Sequence, residues 1–243
     1  MDSISISAAS GMRARMESLE LLANNLANVE TGGYKADREF YSLYTSLDAT
    51  ADPLTGQTTT LPVIEKRWTD FSQGDFHTTG NPLDFAIDGS GMFGVDTPRG
   101  VRYTRNGNFR IGTGGALTAG DGSPVRAQGG GQIVLQAGVP VEVLPDGSVQ
   151  QGGVVSGQME LVSFDPGAFN KEGVNYYAPA PGALSKPGTG TVVQGKLESS
   201  NVGAAESAVR LVAILRQFEM LQKAMLIGND LNKAAIQEVA RVT

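Results

Sequence analysis

Glycine and proline crowd the middle of this chain and desert its ends. Of 32 glycines, 26 lie between Gly74 and Gly195, and nine of 11 prolines lie between Pro82 and Pro187. The first 52 and the last 56 of the 243 residues contain no proline. Proline removes a helix hydrogen bond and clashes with the preceding turn, so its absence leaves both ends free to form long helices. The glycine-rich middle is punctuated like a β domain.

Both ends carry the matching apolar pattern. Ala8, Met12, Met16, Leu19, Leu22, Leu26 and Val29 follow one another at steps of three and four, and Gly32 and Gly33 follow as a stop. Near the C-terminus the stripe runs Leu211, Leu215, Phe218, Leu221, Met225, Gly228, Leu231, Ala235, Val239, Val242. It predicts a helix of roughly 35 residues, or ~50 Å at 1.5 Å per residue. Such a stripe usually faces its own domain's core. Here the two stripes lie at opposite ends of the chain, and the second outlasts any single-domain need. Helices that pair with each other and with copies of themselves, as in a coiled coil, account for both facts.

Between the ends, Asp88-Gly89, Asn106-Gly107, Asp121-Gly122 and Asp146-Gly147 are dipeptides favoured in turns between paired strands. "LDFAI", "VRYTR", "IVLQA", "VEVL" and "GQMELVSF" supply strand candidates. Residues 48–61, "DATADPLTGQTTTL", are small and polar and read as an exposed loop. The expected fold class is α+β: paired long N- and C-terminal helices with a central all-β domain inserted between them. Its expected parts are an N-terminal axial helix and following segment (1–47), a loop and connector (48–73), a β-rich domain (74–195) and a C-terminal axial helix (196–243).

Composition excludes several classes of function. A net charge of -6 argues against a duplex nucleic-acid binder, which needs a basic footprint. The absence of cysteine excludes disulfides, thiol catalysis and cysteine-ligated zinc. No stretch approaches the ~20 apolar residues of a membrane span, so no membrane insertion is expected. With Asp2 near its start and no basic segment before an apolar core, the N-terminus does not read as a secretory signal peptide. "GSGMFG", Gly89 to Gly94, spells G-x-G-x-x-G, but Pro98 and Gly100 follow where a nucleotide site requires a helix. His77, the single histidine, is too few for a catalytic zinc site. Asp84, Asp88 and Asp96 are the best acid–base candidates, and they define the competing class: a β-rich glycan-binding protein or hydrolase acting on the cell wall.

One stretch breaks the helical rule. "LLANNLANVETGGYK", Leu21 to Lys35, places Asn24, Asn25 and Asn28 inside an amphipathic run, although the asparagine amide competes for backbone hydrogen bonds. Together with "NPLDFAIDGSGMFGV", "YTRNGNF", "LTAGDGSPV", "GKLESSNV" and "RQFEMLQKAM", it resembles the bacterial flagellar basal-body rod and hook family, in order and over nearly the whole chain. The short length, "RNGNF" and "RQFEMLQK" are most similar to the proximal-rod branch, with the distal-rod branch next and the hook branch further off. The resemblance implies a non-enzymatic structural subunit of the rod, a hollow helical drive shaft that transmits torque. It implies terminal helices that line the tube and a β-rich middle that projects outward. Its implied partners are other copies of the chain, neighbouring rod subunits and the flagellar type III export apparatus. The implied location is the periplasmic rod, reached without a cleaved signal peptide, and no cofactor or metal is implied.

The residues expected to carry assembly are Leu19, Leu22, Asn24, Asn25, Leu26, Asn28 and Val29 on the first helix. On the second they are Leu211, Leu215, Phe218, Leu221, Met225 and Leu231. Two readings of the asparagines stay open. Amides at Asn24 and Asn28, on one face, could bridge subunits and fix register as buried asparagine does in coiled coils; or Asn28 with Gly32–Gly33 could simply end the helix.

Overall fold

The computed structural model describes residues 3–45, 60–165 and 167–242. Within them the chain is α+β: helix α1 (Ser3–Ala27), a series of short strands, and helix α2 (Ala204–Val242). It divides into two compact units. One comprises Met1–Ala27, Asp37–Trp68 and Gly203–Thr243; the other comprises Asn28–Ala36 and Thr69–Val202. The expected boundaries at 74 and 195 fall inside the second unit. Most of the predicted loop at 48–61 lies outside the described residues.

The helical unit contains α1, α2 and a two-stranded sheet of β1 (Asp37–Thr45) and β2 (Thr60–Thr69). The segment expected to be a connector thus includes a strand, β2, whose "TLPVIEKRWT" holds the β-branched and aromatic residues that favour one. Helix α1 stops at Ala27, well before Gly32. The Asn28 carbonyl accepts the Thr31 amide at 3.1 Å, and its side chain accepts the Thr31 hydroxyl at 3.2 Å, a local turn that competes with further helix. Gly32–Gly33 therefore does not terminate the helix. Helix α2 opens with the Ser207 amide on the Gly203 carbonyl at 2.9 Å and Glu206 in its first turn, where a negative charge meets the positive helix end. Its 39 residues extend about 58 Å.

The β unit follows strand periodicity. β3 (Phe76–Thr78), β4 (Phe85–Asp88), β5 (Met92–Thr97) and β6 (Gly100–Thr104) come first in the chain. β5 and β6 sit at the centre of a six-stranded sheet, in the order Phe169–Glu172, Tyr176–Pro179, β6, β5, Leu161–Ser163, Lys186–Pro187. Successive side chains of a strand point to opposite faces. On β5, Phe93 and Val95 enter a core with Phe85, Ile87, Phe109, Leu117 and Ile133. Met92 enters a second core with Tyr103, Val162 and Tyr177, flanked by Phe71, Phe164 and Phe169. In the second core the rings meet edge to face, Phe71 on Tyr177 and Tyr103 on Phe164, each at 5.1 Å.

The turn dipeptides divide. Asp146-Gly147 joins the antiparallel strands Val141–Val143 and Ser148–Gln151, and Gly147 takes φ +84°. Asp121-Gly122 turns the chain between the Thr118 and Pro124 bridge partners. Asp88-Gly89 instead separates strands of different sheets, since β4 pairs with Thr191–Gln194 and β5 with β6. Gly107 serves a close approach: a Cβ there would stand 1.7 Å from the Phe85 carbonyl oxygen. The candidate strand "IVLQA" forms only an isolated bridge at Val134, with Ile133 and Leu135 buried on either side.

Candidate functional site

In the helical unit the buried line of α1 is Gly11, Ala14, Ser18, Leu22 and Asn25. These residues also follow steps of three and four, but four of the five are small or polar. Their size lets the backbone come near α2: a Cβ on Gly11 would stand 3.4 Å from the Leu221 side chain. Of the expected apolar stripe, only Leu22 is buried among the described side chains. Leu19, Leu26 and Val29 are half-buried, and Met16 is 51% exposed. On α2, Ser207 and Ile214 are buried, and Leu211, Phe218, Leu221, Met225 and Gly228 are half-buried on the same side. Expected residues Leu215 and Leu231 point elsewhere and are exposed. Ala9, Met12, Met16 and Phe218 line a shallow groove edged by Arg13, Glu17, Glu20 and Arg67.

The asparagines take three different places. Asn25 is buried, and its amide holds the Asp37 peptide from both sides: its Nδ2 donates to the Asp37 carbonyl at 2.8 Å, and its Oδ1 accepts the Asp37 amide at 3.0 Å. It thereby ties the last turns of α1 to the first residue of β1. Asn28 makes the turn with Thr31. Asn24 is exposed.

In the β unit the structure assembles a cluster that the sequence reading missed. Lys35, Arg105 and Glu198 come from "TGGYK", "YTRNGNF" and "GKLESSNV", and all three are buried. Oε1 of Glu198 accepts from Lys35 Nζ and from the Gly74 amide at 2.9 Å, while Oε2 accepts from Arg105 Nη1 at 3.1 Å. Lys35 also donates to the Ser72 carbonyl at 2.6 Å, and Arg105 to the carbonyls of Ile87 at 3.0 Å and Gly89 at 2.6 Å. Burial holds the Lys35 ammonium below the usual lysine range; Glu198 opposes that shift and the Arg105 charge adds to it. The signal available in the sequence was a set of charged residues embedded in short glycine- and asparagine-bearing motifs, where a close backbone approach is needed.

Two glycines make the cluster possible. Gly33, at φ +69°, would place a Cβ 2.4 Å from the Arg105 carbonyl carbon, and Gly74 would place one 2.1 Å from the Ser199 carbonyl oxygen. Beside them Asn201 accepts the Ala36 amide at 2.8 Å and donates to the carbonyls of Asp70 at 2.8 Å and Ser72 at 3.1 Å.

The candidate catalytic acids are each held by a different structural partner. Buried Asp84 accepts from the amides of Asn81 at 3.1 Å and Asn108 at 3.0 Å, locking "NPLD" to "RNGN". Asp88 accepts from Gln73 at 3.2 Å, and Asp96 accepts from Arg126 at 2.9 Å. His77 lies on β3 opposite Leu197. "GSGMFG" runs from a turn into β5 and opens no helix, so it lacks the helix N-terminus that a pyrophosphate requires.

Comparison with known proteins agrees along the chain. Residues 7–35 match the family described as "Flagella basal body rod protein", residues 86–157 "Flagellar hook protein FlgE/F/G D1 domain", and residues 193–238 "Flagellar basal body rod FlgEFG protein C-terminal". The chain is 34% identical to the flagellar basal-body rod protein FlgF of Caulobacter vibrioides over 92% of each chain. It is 33% identical to FlgF of Mesorhizobium japonicum over 87% of each, and 30% identical to the rod protein FlgG of Bacillus subtilis over 91% of this chain and 93% of that one. The three matched segments contain the Asn25 clamp, the Arg105 corner and the Glu198 strand in that order, and the chain belongs to the flagellar basal-body rod protein family.

Proposed function

We propose that this chain is a structural, non-catalytic subunit of the flagellar basal-body rod that self-assembles through its terminal helices. The reading pairs α1 and α2 as one helical layer, with the β-rich region inserted between them. Copies of that layer, with neighbouring rod subunits, build a hollow shaft that transmits torque in the periplasm. Export through the flagellar type III apparatus without a cleaved signal peptide belongs to the same reading.

One observation carries it. Helix α2 leaves Val209 (72%), Met220 (61%), Ile227 (61%) and Leu231 (65%) exposed. Their spacings of eleven, seven and four residues put them along one side of a helix, away from buried Ile214. An apolar row of this kind marks a surface that another protein covers. Phe218, facing the groove with Met12, serves the pairing of α1 and α2, whereas Met220 and Ile227 serve contacts between subunits.

The test is Ile227→Glu in the full chain, expressed in cells lacking the wild-type protein. The expected result is a folded, exported protein with normal circular dichroism, no intact basal bodies and no swimming. Normal basal bodies and swimming would overturn the assignment of this face.

A further inference from the structure

The segments 31–36 and 196–201, which leave α1 and lead into α2, meet in the β unit and bond to each other as well as to its body. The Gly33 amide donates to the Glu198 carbonyl at 2.7 Å, the Ala36 amide to Asn201 Oδ1 at 2.8 Å, and the Asn201 amide to the Tyr34 carbonyl at 3.4 Å. We propose that Glu198 is the keystone of a two-ended clasp: the two segments dock on the β unit only together, and release of one releases the other.

The charge arrangement gives the reason. Glu198 is the carboxylate bonded to two buried cations, Lys35 and Arg105. Among the described residues, the charges near Lys35 also include Asp70, which acts on it at longer range, and Lys171, whose ammonium donates to the Lys35 carbonyl at 3.0 Å and lies 3.9 Å over the Tyr34 ring. Lifting 196–201 would leave Lys35 and Arg105 facing each other without their bonded anion. A buried charge stripped of its partner is costly, which favours departure of Lys35 with its segment. Lifting 31–36 instead strips the Gly33 donor from Glu198 and the Ala36 donor from Asn201. It also removes the backbone on which the Asn201 amide rests. At Gly33 and Gly74 the backbones pass too close for a side chain, so segment 31–36 is seated directly on Arg105 and Asn106, and segment 196–201 directly on Gly74.

The two segments therefore form one cooperative opening unit, readable by amide hydrogen exchange on the full-length protein. In Glu198→Gln, the amides of 31–36 and of 196–201 should exchange at least tenfold faster than in the wild type. The two segments should change by the same factor within threefold, while the hairpin 141–151 keeps its protection. Lys35→Met leaves Glu198 with Arg105 and should show the same paired pattern, at least threefold. If Glu198→Gln does not fold, Lys35→Met carries the test alone. Either variant loosening one segment by more than three times the other overturns the clasp, as does unchanged exchange in Glu198→Gln.

Discussion

The helical unit and the β unit sort their side chains in opposite ways. Helix α2 keeps valine, methionine, isoleucine and leucine on its outside, while α1 buries a glycine, an alanine, a serine and an asparagine against its neighbours. The β unit buries a lysine, an arginine and two acids, and gives nearly every one a named partner. The first pattern leaves an apolar row uncovered, the surface that the proposed assembly would bury. In the second, the costliest buried groups are paired: Lys35 and Arg105 with Glu198, and Asp84 with Asn81 and Asn108. On the proposed function, the helical unit is the part that stays ready to associate and the β unit the part whose shape is fixed beforehand.

The sharpest way to break this contrast is to unbalance the closed unit. Glu198→Gln leaves two buried cations without a charged partner and should cost ~3–5 kcal/mol, the usual penalty for removing one member of a buried pair. Thermal unfolding of the β unit would report it, and a loss below 1 kcal/mol would show that the cluster adds little. Next in size is Asn25→Leu, which leaves the amide and carbonyl of Asp37 without the side chain that holds them. It should cost ~1–3 kcal/mol of stability in the helical unit, measurable by urea denaturation.

The acid–base behaviour of Lys35 sharpens the comparison from another side. Its folded value lies below the ordinary lysine value, so between the two the unfolded chain binds the extra proton. Stability from this group is therefore fully present only above the unfolded value and rises with pH between the folded and unfolded values, by at most about 1.4 kcal/mol per pH unit. Denaturation midpoints at rising alkaline pH should climb for the wild type relative to Lys35→Met. A gap that narrows would reverse the sign and refute the burial argument. The smallest effect is expected from Asn24→Leu, an exposed position where leucine is the better helix former by roughly half a kcal/mol. The monomer should gain slightly in stability. If the rod is then fragile, Asn24 takes part in assembly; an intact rod would restrict the role of the asparagine run to the Asn25 clamp and the Asn28 turn.

Much of the plan was legible because proline and glycine act locally. The absence of proline and the scarcity of glycine at the ends marked α1 and α2, and Asp146-Gly147 marked a real hairpin. The faces of the helices were less legible. Steps of three and four admit Ile214 or Leu215 equally, yet these differ by 100° around the axis, and packing chose Ile214. On α1 a count of apolar residues selected Met12 and Met16, whereas close helix approach selected Gly11, Ala14 and Ser18. The charged cluster left only a faint signal, for a different reason. Lys35, Arg105 and Glu198 have no periodic relation to one another, and only the folded chain brings them together.

The distance along the chain between Lys35 and Glu198 has a consequence for rates. Their contact spans 163 residues. Closing a loop of that length costs about 4.5 kcal/mol of chain entropy by the logarithmic rule, before any bond is made. Contacts so remote are expected to form late on the folding route, after the local hairpins. A late contact has little hold on the speed of folding and a large one on the speed of unfolding. The expected chevron for Glu198→Gln has an unchanged folding limb and a raised unfolding limb. For a part meant to last inside a working machine, the Lys35–Glu198 pair would thus set the protein's lifetime.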